Sequence, residues 1–428
     1  MFVRNDVVND SRVWKEARAL SRDGWAVRIV GVLSDRTVES ETVDGVEVRR
    51  VPIAPLDSRI VRDMKRFAGS EKAPSDRLMT TGAAPVEVGS PKPAQLSLKG
   101  RLRQAWAPFH EELVTRDFAA RALEAVADRP GTVWHAHDLN AWAAAAAAQA
   151  KWGGKLVFDA HEFYSEKNFY RKPSRVELAK IRKEERDACR AADCVITVSE
   201  SIADELQKRY AMSRRPVVVM NCPSYGARRV APFDLHAKTG GEKVLVYIGL
   251  ATFNRGIEVV IQALADMPGV HCALLGPVQR GYEPVLRRAA KAAGVEDRFH
   301  IVGAVAPEEV VATAATADAA VLLIQNSCLS YYYCSPNKLF EALAAGLPVV
   351  ASDFPDLRRI LTGHEIGRLC KPDDVAAVRT AILDVLARPR EVVREKAVAL
   401  SGSFSWEQEE RKLLAVYHSF ESQQLQPL

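Results

Sequence analysis

The chain is expected to fold as two doubly wound α/β domains, and three observations point there. Its 428 residues exceed one ordinary compact domain and suit two of about 200 residues each. Short β-rich runs alternate with helical stretches almost throughout. Several runs, such as Lys243–Ile248 and Ala319–Ile324, are continuously apolar, the pattern of strands covered by helices on both faces. Two such series of similar length make two domains.

In the first series the strands are predicted at Trp25–Val32, Val46–Val51, Thr132–His135, Lys155–Asp159, Cys194–Val198 and Val217–Met220. Amphipathic helices are predicted at Ser11–Arg22, Phe109–Ala127 and Val176–Ala191. The opening MFV leaves a clipped first strand, as a start placed too late would. The Ala143–Ala148 run suits close packing of a helix on a sheet. The second series has strands at Lys243–Ile248, His271–Leu275, His300–Val302, Ala319–Ile324 and Pro348–Ala351. The polar, Gly- and Pro-containing stretch Tyr225–Glu242 marks the boundary. The expected domains are therefore 1–228 and 236–403, followed by a segment, 404–428, whose helix Phe404–Phe420 carries Trp406, Leu413, Leu414, Tyr417 and Phe420 on one face.

Composition narrows the function. Hydrophobic residues at 48% and charged residues at 26% exclude disordered, collagenous and coiled-coil classes for most of the length. No run of about 20 apolar residues suggests a membrane span, and the polar start lacks a signal-peptide core. The seven cysteines are scattered without a C-x-x-C pair, which argues against a disulfide framework or zinc site and for a reducing cytoplasm. The net charge of +5 is concentrated in 57–106, where ten Lys/Arg meet five Asp/Glu, so a dedicated nucleic-acid binder is not expected. Within that region Ala68–Leu98 reads as a long loop or insertion. Its basic flanks suit either contact with an anionic membrane face or a solvated excursion, and the second is favoured.

Doubly wound domains bind phosphorylated ligands at the carboxyl ends of their strands. The chain nevertheless has no G-x-G-x-x-G, no G-x-x-x-x-G-K-[ST], no D-x-D pair, no H-E-x-x-H and no G-x-S-x-G. Any bound anion is expected to be neutralised by Arg, Lys and helix N-termini, without a metal.

The informative block is Ser335–Ser352, SPNKLFEALAAGLPVVAS. It reads as a helix with Ser335 as N-cap and Pro336 in the first turn, stopped at Gly346 and followed by a buried strand. Lys338 and Glu341 share one face near its start. A cation beside a helix N-terminus is repelled by the dipole unless an anion lies between them, so a phosphate there is one reading and a surface Lys–Glu pair the other.

This block, with DLRRIL and GRLCKPDD after it, resembles the donor-site region of family 4 (group 1) retaining glycosyltransferases. VYIGLATFNRGIEVVIQAL (Val246–Leu264), RFHIVGAVAPEEV (Arg298–Val310), ADCVITVSESIADEL (Ala192–Leu206), HAHDLNAW (His135–Trp142) and NDSRVWKEARALSRDGWAV (Asn9–Val27) resemble further family segments, in the expected order. The resemblance implies the GT-B architecture, two Rossmann-like domains facing across a cleft. The second domain would bind a nucleotide sugar and the first the acceptor, with the last helix crossing back to the first domain.

Residue by residue, the resemblance places Arg255, before Gly256, as the diphosphate clamp. The family's other cation, after the turn glycine Gly249, is replaced by Leu250, and Lys338 is inferred to supply the missing charge. Glu341 matches the ribose-binding second Glu of an E-x7-E motif, whose first Glu is replaced by Tyr333. The run Tyr331–Tyr333 either borders the sugar or, at Tyr332, packs inward. Backbone amides around Ser335, Pro336 and Asn337 would meet the sugar and phosphate. His137 matches a residue that reaches toward the donor sugar, while His135 is expected to be structural and Asp138 to cap the next helix. His161 and Glu162 are candidates for acceptor contact. Arg12, in a loop region with Asn5 and Asp6, would bind an acceptor phosphate or only balance local charges.

The expectation is a metal-independent retaining transferase acting on a UDP- or GDP-type sugar in polysaccharide, cell-envelope or glycoconjugate synthesis. The acceptor would be a glycan, lipid-linked or small molecule. The expected location is cytoplasmic or peripheral at the inner membrane face. The alternative is a non-catalytic sugar- or lipid-carrier-binding scaffold with a degenerate donor site, motivated by Leu250 and Tyr333.

Overall fold

The computed structural model describes residues 1–53, 98–169, 171–226 and 230–424. Its first sheet contains β1 (Phe2–Val3), β2 (Arg28–Val32), β3 (Ser40–Val43), β4 (Val46–Val51), β5 (Val133–His137), β6 (Lys155–Ala160), β7 (Cys194–Thr197) and β8 (Val217–Val218). The order is β3-β4-β2-β1-β5-β6-β7-β8, parallel except for the β3–β4 pair. The second sheet contains β9 (Lys243–Ile248), β10 (Val270–Leu275), β11 (Phe299–Gly303), β12 (Ala319–Leu322), β13 (Val349–Ser352) and β14 (Gly367–Cys370). It is wholly parallel in the order β11-β10-β9-β12-β13-β14.

The apolar runs behave as their composition requires. Along β9, Val244, Val246 and Ile248 enter one hydrophobic cluster while Leu245 and Tyr247 enter the cluster on the opposite face. A strand buried on both sides has no polar face to alternate. Ala144, Ala145 and Ala148 of the helix Leu139–Trp152 pack with Phe2, Trp134 and Ala136, where small side chains bring helix and sheet close. The last helix, Trp406–Gln424, lies against the first sheet. Its Trp406, Leu413, Tyr417 and Phe420 pack with Val13, Ala17 and Leu20 of the helix Ser11–Arg22.

Several local readings need correction. The hairpin of β3 and β4 was not anticipated, although its Asp44–Gly45 turn, with φ of 52° and 78°, is a recognisable two-residue hairpin signal. The helix expected from Phe109 begins at Leu98. Ser335 does not cap the donor-block helix. That helix runs Asn337–Ala344 with Pro336 in the capping position, and the Ser335 hydroxyl faces Met220 Sδ at 3.7 Å. Asp138 does not cap its helix either; its carboxylate accepts the His161 amide at 3.1 Å. The loop part of the basic region, with the side chains at the start of the helix after it, lies outside the described residues.

Both sheets wind outward from an inner strand. In the second, β9 is flanked by β10 on one side and β12 on the other, so the loops after β9 and β12 diverge and leave a crevice. In the first, β1 is flanked by β2 and β5 in the same way. The halves also touch directly. Ser199 Oγ donates to the Tyr333 carbonyl at 2.6 Å, and Asp356 accepts the Glu200 amide at 3.1 Å, capping the helix Glu200–Tyr210 from the other half.

Candidate active site

A cavity of about 570 Å³ lies where the two crevices meet. The first half contributes Asn5, Arg12, His161 and Glu162, and the second contributes Arg255, Tyr331 and Ser335–Asn337.

The second-half wall is built by glycines. Gly249 ends β9 with φ 89°, and a Cβ at the neighbouring Gly276 would sit 2.4 Å from the Gly249 carbonyl. Gly256, φ 70°, is the N-cap of the helix Ile257–Leu264; a Cβ there would lie 2.1 Å from Leu323 O. These turns place Arg255 at a helix start without a side-chain cap. Its guanidinium lies over the Tyr331 ring at 4.4 Å, and its Nε is buried without a hydrogen-bond partner. Lys338 Nζ donates to Tyr247 Oη at 2.7 Å and lies 4.2 Å from that ring, and a Cβ on Gly249 would be 4.0 Å from it. Among the described residues no carboxylate forms an ion pair with Arg255 or Lys338.

The electrostatics follow from this arrangement. Burial, and then repulsion by Arg255, lowers the Lys338 ammonium to about 7, with Glu341 opposing in part. Burial raises the Glu341 carboxyl, while Lys338 and Lys15 pull it back. Glu341 and Lys338 are not among the residues lining the cavity, but the charge of each is felt by the other. Lys15 is held by Asn221 Oδ1 at 2.9 Å and Cys222 O at 2.6 Å. Leu250 is half-exposed.

The first-half wall is the reverse. Arg12 is buried with its fork on Asp159 at 2.8 and 2.7 Å, its Nη1 on Val219 O at 2.7 Å, and its Nε 3.0 Å from Glu16. Of the two roles read from sequence, it fills the balancing of local charge; no fork remains for an acceptor phosphate. His161 bonds Asp159 at 2.8 Å. Burial opposes its charge, but Asp138 and Asp159 outweigh that and raise it to about 9. His137 is buried against Asp159 at 3.2 Å and is not among the cavity-lining residues. Burial, with His135 beside it, holds its ring neutral. His135 bonds Tyr417 Oη of the last helix at 2.8 Å. Glu162 pairs with Lys167 at 3.4 Å.

Glu16, His135, His137 and Asp159 have donor atoms within 4.8 Å of one another, a composition that suits a divalent ion. The surroundings do not fit one. Arg12 already supplies the cation, hydrogen-bonded to Asp159 and at ion-pair distance from Glu16, and a dication would be held against it in a buried space.

Sequence reasoning missed Asp159 and Glu16 as partners of Arg12, and Tyr247 as the support of Lys338. Asp159 was visible inside FDAHE, but its pairing across 147 residues was not.

Residues 233–399 match the family described as Glycosyl transferases group 1, and residues 85–223 match Glycosyltransferase Family 4. Glycogen synthase of Mycobacterium tuberculosis is 27% identical over 56% of this chain and 57% of its own length. Phosphatidyl-myo-inositol mannosyltransferase of Mycobacterium leprae is 32% identical over 39% of this chain and 43% of its own. The alignments thus span less than two thirds of these relatives. Sucrose-phosphate synthase of Thermosynechococcus elongatus superposes with a TM-score of 0.71 at 18% identity, covering 96% of this chain and 93% of its own. HepE of Anabaena, solved with UDP and glucose, gives 0.67 at 14% identity over 98% of both chains. On a GT-B fold and in order along it, the chain carries a family 4 glycosyltransferase region followed by a group 1 glycosyltransferase region.

Proposed function

We propose that the protein transfers a sugar from a nucleoside diphosphate sugar to an acceptor hydroxyl, with retention at the anomeric carbon and without a metal. The observation that carries this reading is the pair of cations, Arg255 and Lys338, held beside the Gly249 turn with no carboxylate partner among the described residues. Burying unpaired charge is costly, and a pyrophosphate would offset that cost.

In this reading Arg255, Lys338 and the amides at Ser335–Asn337 stabilise charge as the C–O bond to the diphosphate breaks. Glu341 accepts the ribose hydroxyls. The acceptor hydroxyl enters from the wall of His161 and Glu162 and attacks on the face from which the diphosphate leaves, its proton passing to the departing diphosphate oxygen. His137 lies beneath that wall, so its part is to hold Asp159 and His161 in place. Closure of the halves excludes water. UDP in the HepE structure supports a uridine donor, and the mannosyltransferase and glycogen synthase relatives support a glycan or glycolipid acceptor in cell-envelope or polysaccharide synthesis. Among the described residues no helix is long and apolar enough to cross a membrane, which accords with action in the cytoplasm or at its membrane face.

A second reading, a sugar-binding scaffold, is favoured by Leu250 and Tyr333, which stand where the family carries a cation and an acid. A hydrolysis and transfer assay over several nucleotide sugars separates the two. Turnover of one donor, stimulated by a hydroxyl acceptor and unaffected by a chelator, is expected. Donor binding without turnover of any of them would favour the scaffold.

A further inference from the structure

The run Tyr331–Tyr333, whose last member stands where the family has its acidic residue, faces both halves: Tyr331 and Tyr332 pack against the second half's core, and the Tyr332 and Tyr333 rings meet at 5.3 Å. Tyr332 stacks edge-on with Phe354 at 5.1 Å and packs into the second half's core. Tyr333 packs into a first-half cluster with Phe158, Ile202 and Leu206, while its carbonyl takes the Ser199 hydroxyl. Tyr331 lines the cavity. Its ring lies under the Arg255 guanidinium at 4.4 Å, and its hydroxyl accepts from Asn168 Nδ2 of the first half at 3.4 Å.

We infer that Tyr331 is the positioning residue for Arg255, its ring face setting the direction of the diphosphate clamp. Arg255 has no ion pair among the described residues and follows Asn254, whose φ of 63° makes this a tight, irregular turn. A long side chain leaving such a turn has many rotamers, and the aromatic face restricts them before any ligand arrives. The neighbours Tyr332 and Tyr333 are fixed in opposite halves, so the ring of Tyr331 is carried on an element that both halves hold. The inference rests on the donor-site reading above and adds to it a residue whose role is to aim the clamp.

The test is calorimetry with UDP, GDP and ADP on the full chain and on Tyr331→Phe, Tyr331→Ala, Asn168→Ala, Arg255→Ala and the Tyr331→Ala/Arg255→Ala double variant. For the nucleotide that binds, Tyr331→Ala is expected to weaken affinity about 2- to 30-fold, the equivalent of ~0.5–2 kcal/mol for a cation–π contact at ~1.4 kcal/mol per tenfold. Tyr331→Phe keeps the ring and should restore affinity to within about threefold, with Asn168→Ala matching it. In the double variant, the Tyr331→Ala effect should vanish against the Arg255→Ala background, which a merely structural loss would not do. Wild-type affinity in Tyr331→Ala, or an equal loss with and without Arg255, overturns the inference and leaves the donor site standing. Absence of binding by the wild-type chain to all three nucleotides overturns the donor-site reading and the inference with it.

Discussion

Arg12 and Arg255 face the same cavity from opposite halves, and they have opposite surroundings. Arg12 is buried, with every arm of its fork bonded to Asp159 or a backbone carbonyl and Glu16 at ion-pair distance. Arg255 lies on a tyrosine ring with a buried Nε that bonds nothing. Both are cations in a cleft, and sequence alone gave both a possible phosphate. The difference teaches that a charge already balanced inside the fold serves stability, while one left unbalanced at a glycine turn is available to a ligand.

The sharpest way to break this contrast is to remove each arginine. Arg12→Leu leaves the Asp159 carboxylate buried without its cation and should cost ~3–5 kcal/mol, read from the denaturant midpoint. A loss below about 1 kcal/mol would show the cluster to be self-sufficient. Arg255→Ala should leave the midpoint within about 0.5 kcal/mol and lower transfer by about 100-fold or more. Near-normal turnover would remove the clamp assignment.

A third expectation concerns pH. Lys338 stands at about 7 in the free protein because burial and Arg255 disfavour its charge. Its unfolded value is near ~10.4, so between these values the unfolded chain binds more protons and this residue's contribution to stability rises with pH. A bound diphosphate favours the ammonium, so binding at pH 8 should take up a proton, and affinity should fall as pH rises through 7 and beyond. Calorimetry in buffers of different ionisation enthalpy measures this. Lys338→Met should abolish the uptake, and an unchanged uptake in that variant would place the titrating group elsewhere.

The smallest effect is expected at the contact between halves. Asp356→Ala removes the acceptor for the Glu200 amide and should cost ~1 kcal/mol, as loss of a helix cap does. A neutral outcome in thermal unfolding would mean that Ser199, the helix's own cap, suffices.

The architecture was legible because continuous apolar runs such as Lys243–Ile248 can satisfy themselves only inside a covered parallel sheet. The donor wall was legible in part. Gly249, Arg255 and Lys338 lie within short segments whose local geometry gathers them. Ser335 was misread as a cap because a serine before proline is the same signal whether the helix starts there or two residues later. The fate of Arg12 was hidden, since its partner Asp159 is fixed by strand order and not by spacing. Tyr331 was noticed as unusual, but no local rule shows that a ring two residues ahead of the missing acid will lie under Arg255.

The most direct measurement is a crystal structure of the protein with a bound nucleoside diphosphate. The expected result has diphosphate oxygens within hydrogen-bond distance of both the Arg255 guanidinium and Lys338 Nζ, with the ribose at Glu341. A nucleotide bound with both cations unengaged would contradict the central claim.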